Sequence, residues 1–135
     1  MSANTTSFMK NNYNQIVDAF KNMDIPMLHL ILDEKINYND LSKSEFLYLL
    51  NEVFEQMQKD GDTFLETHKG YCSNCFMGRQ GITFIGNKSR NYFDIAFEKN
   101  RQGLVRNMRQ CELFMNNVLL DGYSMSKEIK IINAK

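Results

Sequence analysis

Apolar residues in the N-terminal half of the chain recur every three or four positions, which is the pattern of amphipathic helices. The first stripe predicts one helix between Ser7 and Met23. Its members are Met9, Tyr13, Ile16, Val17 and Phe20. Asp24 can cap a second, short helix, whose first turn tolerates Pro26 because an amide there would have no partner within the helix.

The clearest helix signal is a capping box. Ser42 and Glu45 stand three residues apart, so each side chain can accept a hydrogen bond from the backbone amide of the other. Asp60 and Gly61 end this helix, because glycine readily takes the left-handed conformation found after a helix end. The predicted inner face consists of Phe46, Leu49, Leu50, Val53, Phe54 and Met57.

After Gly61 the apolar residues alternate, which is typical of strands. Three such runs lie at residues 63–72, 81–88 and 91–99, and the tight connection between the last two predicts a hairpin. Residues 104–114 fit either a helix or a strand, and we predict a strand because it would widen the sheet that the helices cover. A shorter alternating run at 35–41 predicts a brief strand with Tyr38 and Asp40 on one side.

This order of elements predicts an α+β domain in which N-terminal helices pack on a curved antiparallel sheet. The length, 135 residues, suits a single hydrophobic core. We expect a flexible N-terminus at residues 1–6, one domain over 7–120, and a tail over 121–135 that adds at most a short edge strand.

The charge and composition of the chain argue against some classes of partner. Sixteen basic residues balance sixteen acidic ones and 43% of the chain is hydrophobic, which indicates a globular protein and argues against a nucleic-acid partner. No apolar run reaches the roughly 18 residues of a membrane span, so no membrane partner is expected. The first residues do not resemble a secretion signal, which predicts a cytoplasmic protein.

Two helices, a short strand ending in Tyr38-Asn39-Asp40, a capped helix and a run of strands form an order that resembles the cone-shaped fold of nuclear transport factor two, ketosteroid isomerase and SnoaL-like proteins. The resemblance covers roughly residues 7 to 114 and rests on the order and length of the elements. It implies a strongly curved sheet wrapped on the long helix, a semi-enclosed pocket between sheet and helices, and a homodimer formed through the sheet.

The candidate pocket residues under this resemblance are Tyr38, Asp40, Phe84 and Asp94. The alternative is that Tyr38 packs in the core and Asp40 only leads into the next helix. No spacing matches the catalytic motif of ketosteroid isomerase, so that activity is not carried over. The resemblance then implies a module that binds a small-molecule ligand or a partner, with a small pocket enzyme of isomerase or hydrolase type as the alternative.

The cysteines carry the most specific chemistry. Cys72 and Cys75 form a C-x-x-C pair, whose sulfurs can converge on a tetrahedral zinc ion. Cys111 is the predicted third ligand, because adjacent strands lie about 4.8 Å apart. His68 is the candidate fourth ligand, but about 13 Å of extended chain separates its α-carbon from that of Cys72, so a bulge at Gly70 would be needed.

Two other interpretations of the cysteines stay open. All three can be small apolar residues in or near the core, which is a common position for a free cysteine. A thiol redox pair would need Cys72 at the start of a helix, whereas residues 76–81 have the composition of a loop. A closed zinc site would be structural and would hold this loop against the last strand. His29, on the short helix, is predicted to be a packed or surface histidine.

Overall fold

The computed structural model describes residues 9–71, 80–110 and 128–131. Three helices precede four strands in this part of the chain: α1 (Tyr13–Lys21), α2 (Ile25–Ile31), α3 (Lys43–Lys59), β1 (Leu65–Tyr71), β2 (Gln80–Gly86), β3 (Tyr92–Lys99) and β4 (Val105–Gln110). The strands form one antiparallel sheet in the order β1-β2-β3-β4. The α+β class is confirmed, and so is the strand predicted within 104–114, which is β4.

The first two helices begin where asparagine and aspartate can cap them. Asn11 is in the left-handed region with φ of 60°, and the side chain of Asn12 accepts a hydrogen bond from the Gln15 amide, so α1 begins later than predicted. Asp24 caps α2 as predicted, because its side chain accepts a hydrogen bond from the Met27 amide.

The long helix α3 begins and ends as predicted. Ser42 and Glu45 form both hydrogen bonds of the capping box, and Gly61 follows the helix with φ of 104°. The predicted inner face is buried except for Leu49, which is partly buried. Leu47 and Lys43 are buried as well, although neither was predicted to be.

Phe20 of α1 joins the helices to the sheet. Its ring centroid lies 5.0 Å from that of Phe84 in β2 and 6.1 Å from that of Phe54 in α3. The core residues of the sheet are Leu65, Ile82, Phe84, Phe93, Ile95, Phe97, Val105 and Met108. In the predicted run 91–99, the alternation with Tyr92, Asp94, Ala96 and Glu98 predicts that Phe93, Ile95 and Phe97 face the core, and these three residues of β3 do so.

The strand predicted at residues 35–41 is wrong. Tyr38 and Leu41 exchange two backbone hydrogen bonds of 2.8 and 2.9 Å across Asn39 and Asp40. Both central residues have positive φ, 55° and 63°, which is the geometry of a two-residue hairpin turn. The Asn39 amide donates to the carbonyl of Met108 at 2.6 Å, so this turn lies against β4.

Residues 128–131 contact the sheet beside the start of β3. The Ile129 amide donates to the Tyr92 carbonyl at 2.8 Å, in a single parallel bridge between Glu128 and Tyr92. The Gln110 side chain donates to the Ile129 carbonyl at 2.5 Å and accepts from the Ile131 amide at 2.7 Å. Ile131 is fully buried in the core. Over residues 128–131, two hydrogen bonds from the Gln110 side chain and one backbone bridge therefore attach the chain to the sheet, without the series of backbone hydrogen bonds that a β-strand would form.

Candidate functional site

One of the four residues predicted to bind zinc lies in the described part of the chain. The other three, Cys72, Cys75 and Cys111, lie outside it. His68 is in β1 opposite Thr83, and the β1–β2 ladder runs through Gly70 without a register shift, so the bulge that His68 would need in order to reach the zinc site does not form. Within the described ranges, no three His, Cys, Asp or Glu residues are grouped as a metal site would require.

Tyr38 is a fully buried core residue. Its hydroxyl donates to the Asn11 side-chain oxygen at 2.8 Å and accepts from the Asp33 amide at 3.0 Å. Burial raises the pKa of the Tyr38 phenol, while the hydrogen bonds to Asn11 and Asp33 act in the opposite direction. Tyr38 therefore connects the segments before α1 and after α2.

Asp40 is exposed and forms an ion pair. Its side chain is 74% exposed, and its two carboxylate oxygens each accept a hydrogen bond of 3.0 Å from Arg109 of β4. Such an exposed pair fixes the orientation of the turn on the sheet but adds little to stability. Asp40 and the buried Tyr38 are therefore in different environments.

Phe84 and Asp94 lie on opposite faces of the sheet. Phe84 is paired with Phe93 on the face that contacts α1, whereas Asp94 is paired with Thr83 on the other face. The structure therefore does not bring the four candidate pocket residues together.

The register does bring together two residues that were predicted for different sites. His68, Thr83 and Asp94 lie side by side across β1, β2 and β3, on the face away from α1, and we call them the polar row. The Thr83 hydroxyl donates to the Asp94 carboxylate at 2.5 Å, and both residues are buried. The polar row is thus anchored by a buried hydrogen bond.

Two open hollows meet on the outer surface of α2 and α3. The first has a volume of about 370 Å³ and is lined by Leu41, Ser44, Glu45, Tyr48 and Leu49. The second has a volume of about 450 Å³ and is lined by Ile25, Pro26, His29, Ser44, Leu47, Tyr48 and Asn51. Because Ser44 and Tyr48 line both, we treat the two hollows as one feature, the Tyr48 groove.

A buried lysine fixes the two helices that form the groove. The Lys43 ammonium group, at the start of α3, donates to the carbonyls of His29 and Leu32 at the end of α2, at 2.7 and 2.9 Å. A cation at these carbonyls is favourable because they form the negative end of the helix dipole. Burial lowers the pKa of Lys43, and the nearby charge of Lys10 acts in the same direction.

Tyr48 stands on the outer face of α3 among carboxylates. Its residue surface is 65% exposed. A hydrogen bond with Glu52 raises the pKa of the Tyr48 phenol, and the charges of Glu52 and Glu55 raise it further. Glu45 lines the first hollow. The groove therefore combines an apolar lining with a negatively charged surrounding, which suits ligands that are apolar and cationic.

The Tyr48 groove was not predicted from the sequence. The available signal was the position of Tyr48, which is a large aromatic residue placed on the polar side of the α3 stripe. The predicted surface or packed position of His29 is confirmed, because His29 is exposed and lines the second hollow.

Comparisons with known proteins give no family for this chain. No protein-family model matches it, and neither a curated protein nor a solved structure matches it. Among the described residues, no helix combines the length and the apolar character needed to cross a bilayer.

Proposed function

We propose that the protein is an interaction module that binds a segment of a partner polypeptide in the Tyr48 groove. The observation that carries this proposal is the exposure of Tyr48, 65%, between two hollows lined mainly by apolar side chains. Tyrosine is enriched among the residues that dominate binding energy at interfaces, because it offers a large rigid contact area together with a polar end.

The shape of the groove supports a peptide partner. The α3 residues that line the second hollow follow the spacing i, i+3, i+4 and i+7, and they are Ser44, Leu47, Tyr48 and Asn51. This strip extends about 10 Å along α3, which matches two turns of a helix laid against it. The Lys43 hydrogen bonds hold α2 and α3 together in the free protein. The entropic cost of ordering these helices on binding would therefore be small.

Selection from a displayed peptide library tests the proposal without assuming the partner. Peptides are selected on the wild-type protein and then measured on Tyr48→Ala and on a control, Phe64→Ala. Phe64 is 45% exposed and lines neither hollow. We expect peptides whose Kd rises roughly tenfold or more with Tyr48→Ala and stays unchanged with Phe64→Ala. If no selected peptide depends on Tyr48, the proposal is overturned.

A small pocket enzyme or small-molecule binder is the second candidate, and the polar row is the observation that favours it. His68 and Asp94 carry ionisable groups on one face of the sheet, with Thr83 between them. A small-fragment screen followed by backbone amide shifts tests this candidate. Fragments that shift Thr83 and Asp94, and that lose affinity with Asp94→Asn, would support it; fragments that shift only groove residues would not.

A further inference from the structure

We infer that the partner segment is a cationic amphipathic helix, with apolar side chains in the two hollows and Lys or Arg side chains facing the carboxylates beside Tyr48. This inference rests on the proposed function and deepens it. It depends on the charge and on the geometry of the groove.

The charge at the groove is negative. Glu45 lines the first hollow, and Glu52 and Glu55 are the charged groups that raise the pKa of the Tyr48 phenol. Lys43, at the junction of α2 and α3, is buried and donates to two backbone carbonyls, and the charge of Lys10 is close enough to lower the pKa of Lys43. Neither lysine lines either hollow. A cationic ligand would therefore meet carboxylates at the surface of the groove, whereas an anionic ligand would be repelled.

The geometry suits a helix better than an extended strand. Tyr48 lines both hollows, so a partner that fills both would place apolar side chains at two points beside the same aromatic ring. Residues four or seven apart on a helix are about 6 or 10 Å apart along the axis, which lets two anchors straddle the ring. A Lys or Arg between these anchors would lie over the exposed face of the ring and could form a cation–π contact.

The negative charge of the groove also favours a basic polypeptide over a lipid surface as the ligand. An amphipathic cationic site on the protein would favour anionic lipids, but here the carboxylates belong to the protein. An anionic bilayer would be repelled by Glu45, Glu52 and Glu55. The inference is therefore to a basic polypeptide, and vesicles of anionic lipid serve as a contrasting probe.

Three designed peptides of about 16 residues test the inference. They share one apolar face, with anchors at i, i+4 and i+7, and carry Lys, Gln or Glu at every polar position. Each peptide contains one Trp. Because the protein has no Trp, the Trp fluorescence of the mixture comes from the peptide alone and reports its binding. We expect the Lys peptide to bind roughly tenfold or more tightly than the Glu peptide, with a preference that weakens as salt is added.

Matched variants identify the carboxylates responsible. The double variant Glu52→Gln, Glu55→Gln should reduce the preference for the Lys peptide several-fold. Asp18→Asn, which removes an exposed carboxylate from α1, should leave it unchanged. None of these side chains is buried, so the variants should fold, and circular dichroism would check this.

The outcomes separate the inference from the proposed function. If the Lys, Gln and Glu peptides bind equally well and in a Tyr48-dependent manner, the inference fails and the proposed function stands. If none of the designed peptides binds but library peptides do, the helical geometry is wrong. If neither set binds, both proposals fail. Binding to anionic vesicles in competition with the Lys peptide would also overturn the inference.

Discussion

The carboxylate of Asp62 occupies the space beside the α-carbon of Gly86, where any other residue would place its β-carbon. Asp62 accepts hydrogen bonds from the backbone amides of Lys88 and Ser89, at 2.8 and 2.7 Å, and from the Ser89 hydroxyl at 2.6 Å. Because Asp62 lies three residues after Lys59, the last residue of α3, this carboxylate connects the end of the long helix to the hairpin between β2 and β3.

The first prediction is that Gly86→Ala destabilises the fold by about 1–3 kcal/mol, because the added methyl group displaces the Asp62 carboxylate. In an Asp62→Ala background the same substitution should cost much less, since the conflicting atoms are gone. Urea unfolding of the four proteins in this double-mutant cycle measures the coupling. Equal costs in both backgrounds would show that Asp62 does not set the requirement for glycine.

The second prediction concerns Gln110, whose side chain binds the backbone of Ile129 and Ile131. Gln110→Ala should cost about 1–3 kcal/mol, because it leaves two partly buried backbone groups without their partner. Hydrogen exchange at the Ile131 amide should accelerate much more than exchange at amides of α3. Gln110→Glu is the control, since a carboxylate can still accept from Ile131 but cannot donate to Ile129. An Ile131 amide as well protected as in the wild type would contradict the account.

The third prediction is a loss of stability at alkaline pH. Burial raises the folded-state pKa of Tyr38 and of Tyr13 above the value of about 10 in an unfolded chain. The folded state therefore holds these protons more tightly, so their contribution is fully present below pH about 10 and is lost as the pH rises through the folded-state pKa. Urea unfolding across this range should show the free energy of unfolding falling with pH.

The variant Tyr38→Phe separates the contribution of Tyr38 to the alkaline loss of stability from that of Tyr13. At neutral pH the variant should lose about 1–2 kcal/mol, because the hydrogen bond to the Asn11 side chain is gone. Above pH about 10 its stability should fall less steeply than that of the wild type, and the part due to Tyr13 should remain. Parallel curves for the two proteins would contradict the assignment to Tyr38.

The fourth prediction is that the protein carries one structural zinc ion held by Cys72, Cys75 and Cys111. His68 is not expected as the fourth ligand, because β1 pairs with β2 through Gly70 without the bulge that His68 would need. Native mass spectrometry of the untagged protein, with and without a chelator, measures the bound metal directly. The expected result is a mass increase of one zinc ion that the chelator removes. The bare mass in both conditions, together with alkylation of all three thiols in the native protein, would reject the site.

Local signals in the sequence predicted several elements well. The capping box at Ser42 and the stop at Gly61 fixed α3, because both ends depend on chemistry within a few residues. Alternation along residues 91–99 identified the inward face of β3, although Asp94 and Ala96 on the other face are buried as well. These features depend little on distant parts of the chain.

The features that sequence reasoning missed depend on distant contacts or on backbone conformation. Asn39 and Asp40 have left-handed backbone conformations in a turn that lies against β4. In the sequence, the alternation of residues 35–41 has the same period as a strand. Lys43 is buried because the end of α2 supplies carbonyl acceptors, which no local pattern reveals. The cone-shaped curvature and the homodimer implied by the family resemblance stay predictions, since three helices and a four-stranded sheet are shared by many α+β proteins.

The most direct test of the proposed function is a map of backbone amide shifts on the ¹⁵N-labelled protein during titration with the Lys peptide. We expect the largest shifts on the α3 residues Ser44, Tyr48 and Asn51 and on His29 of α2. With Tyr48→Ala, we expect the same shifts to need a roughly tenfold or higher peptide concentration. Saturating shifts centred on Thr83 and Asp94, with the groove residues unmoved, would contradict the proposed function.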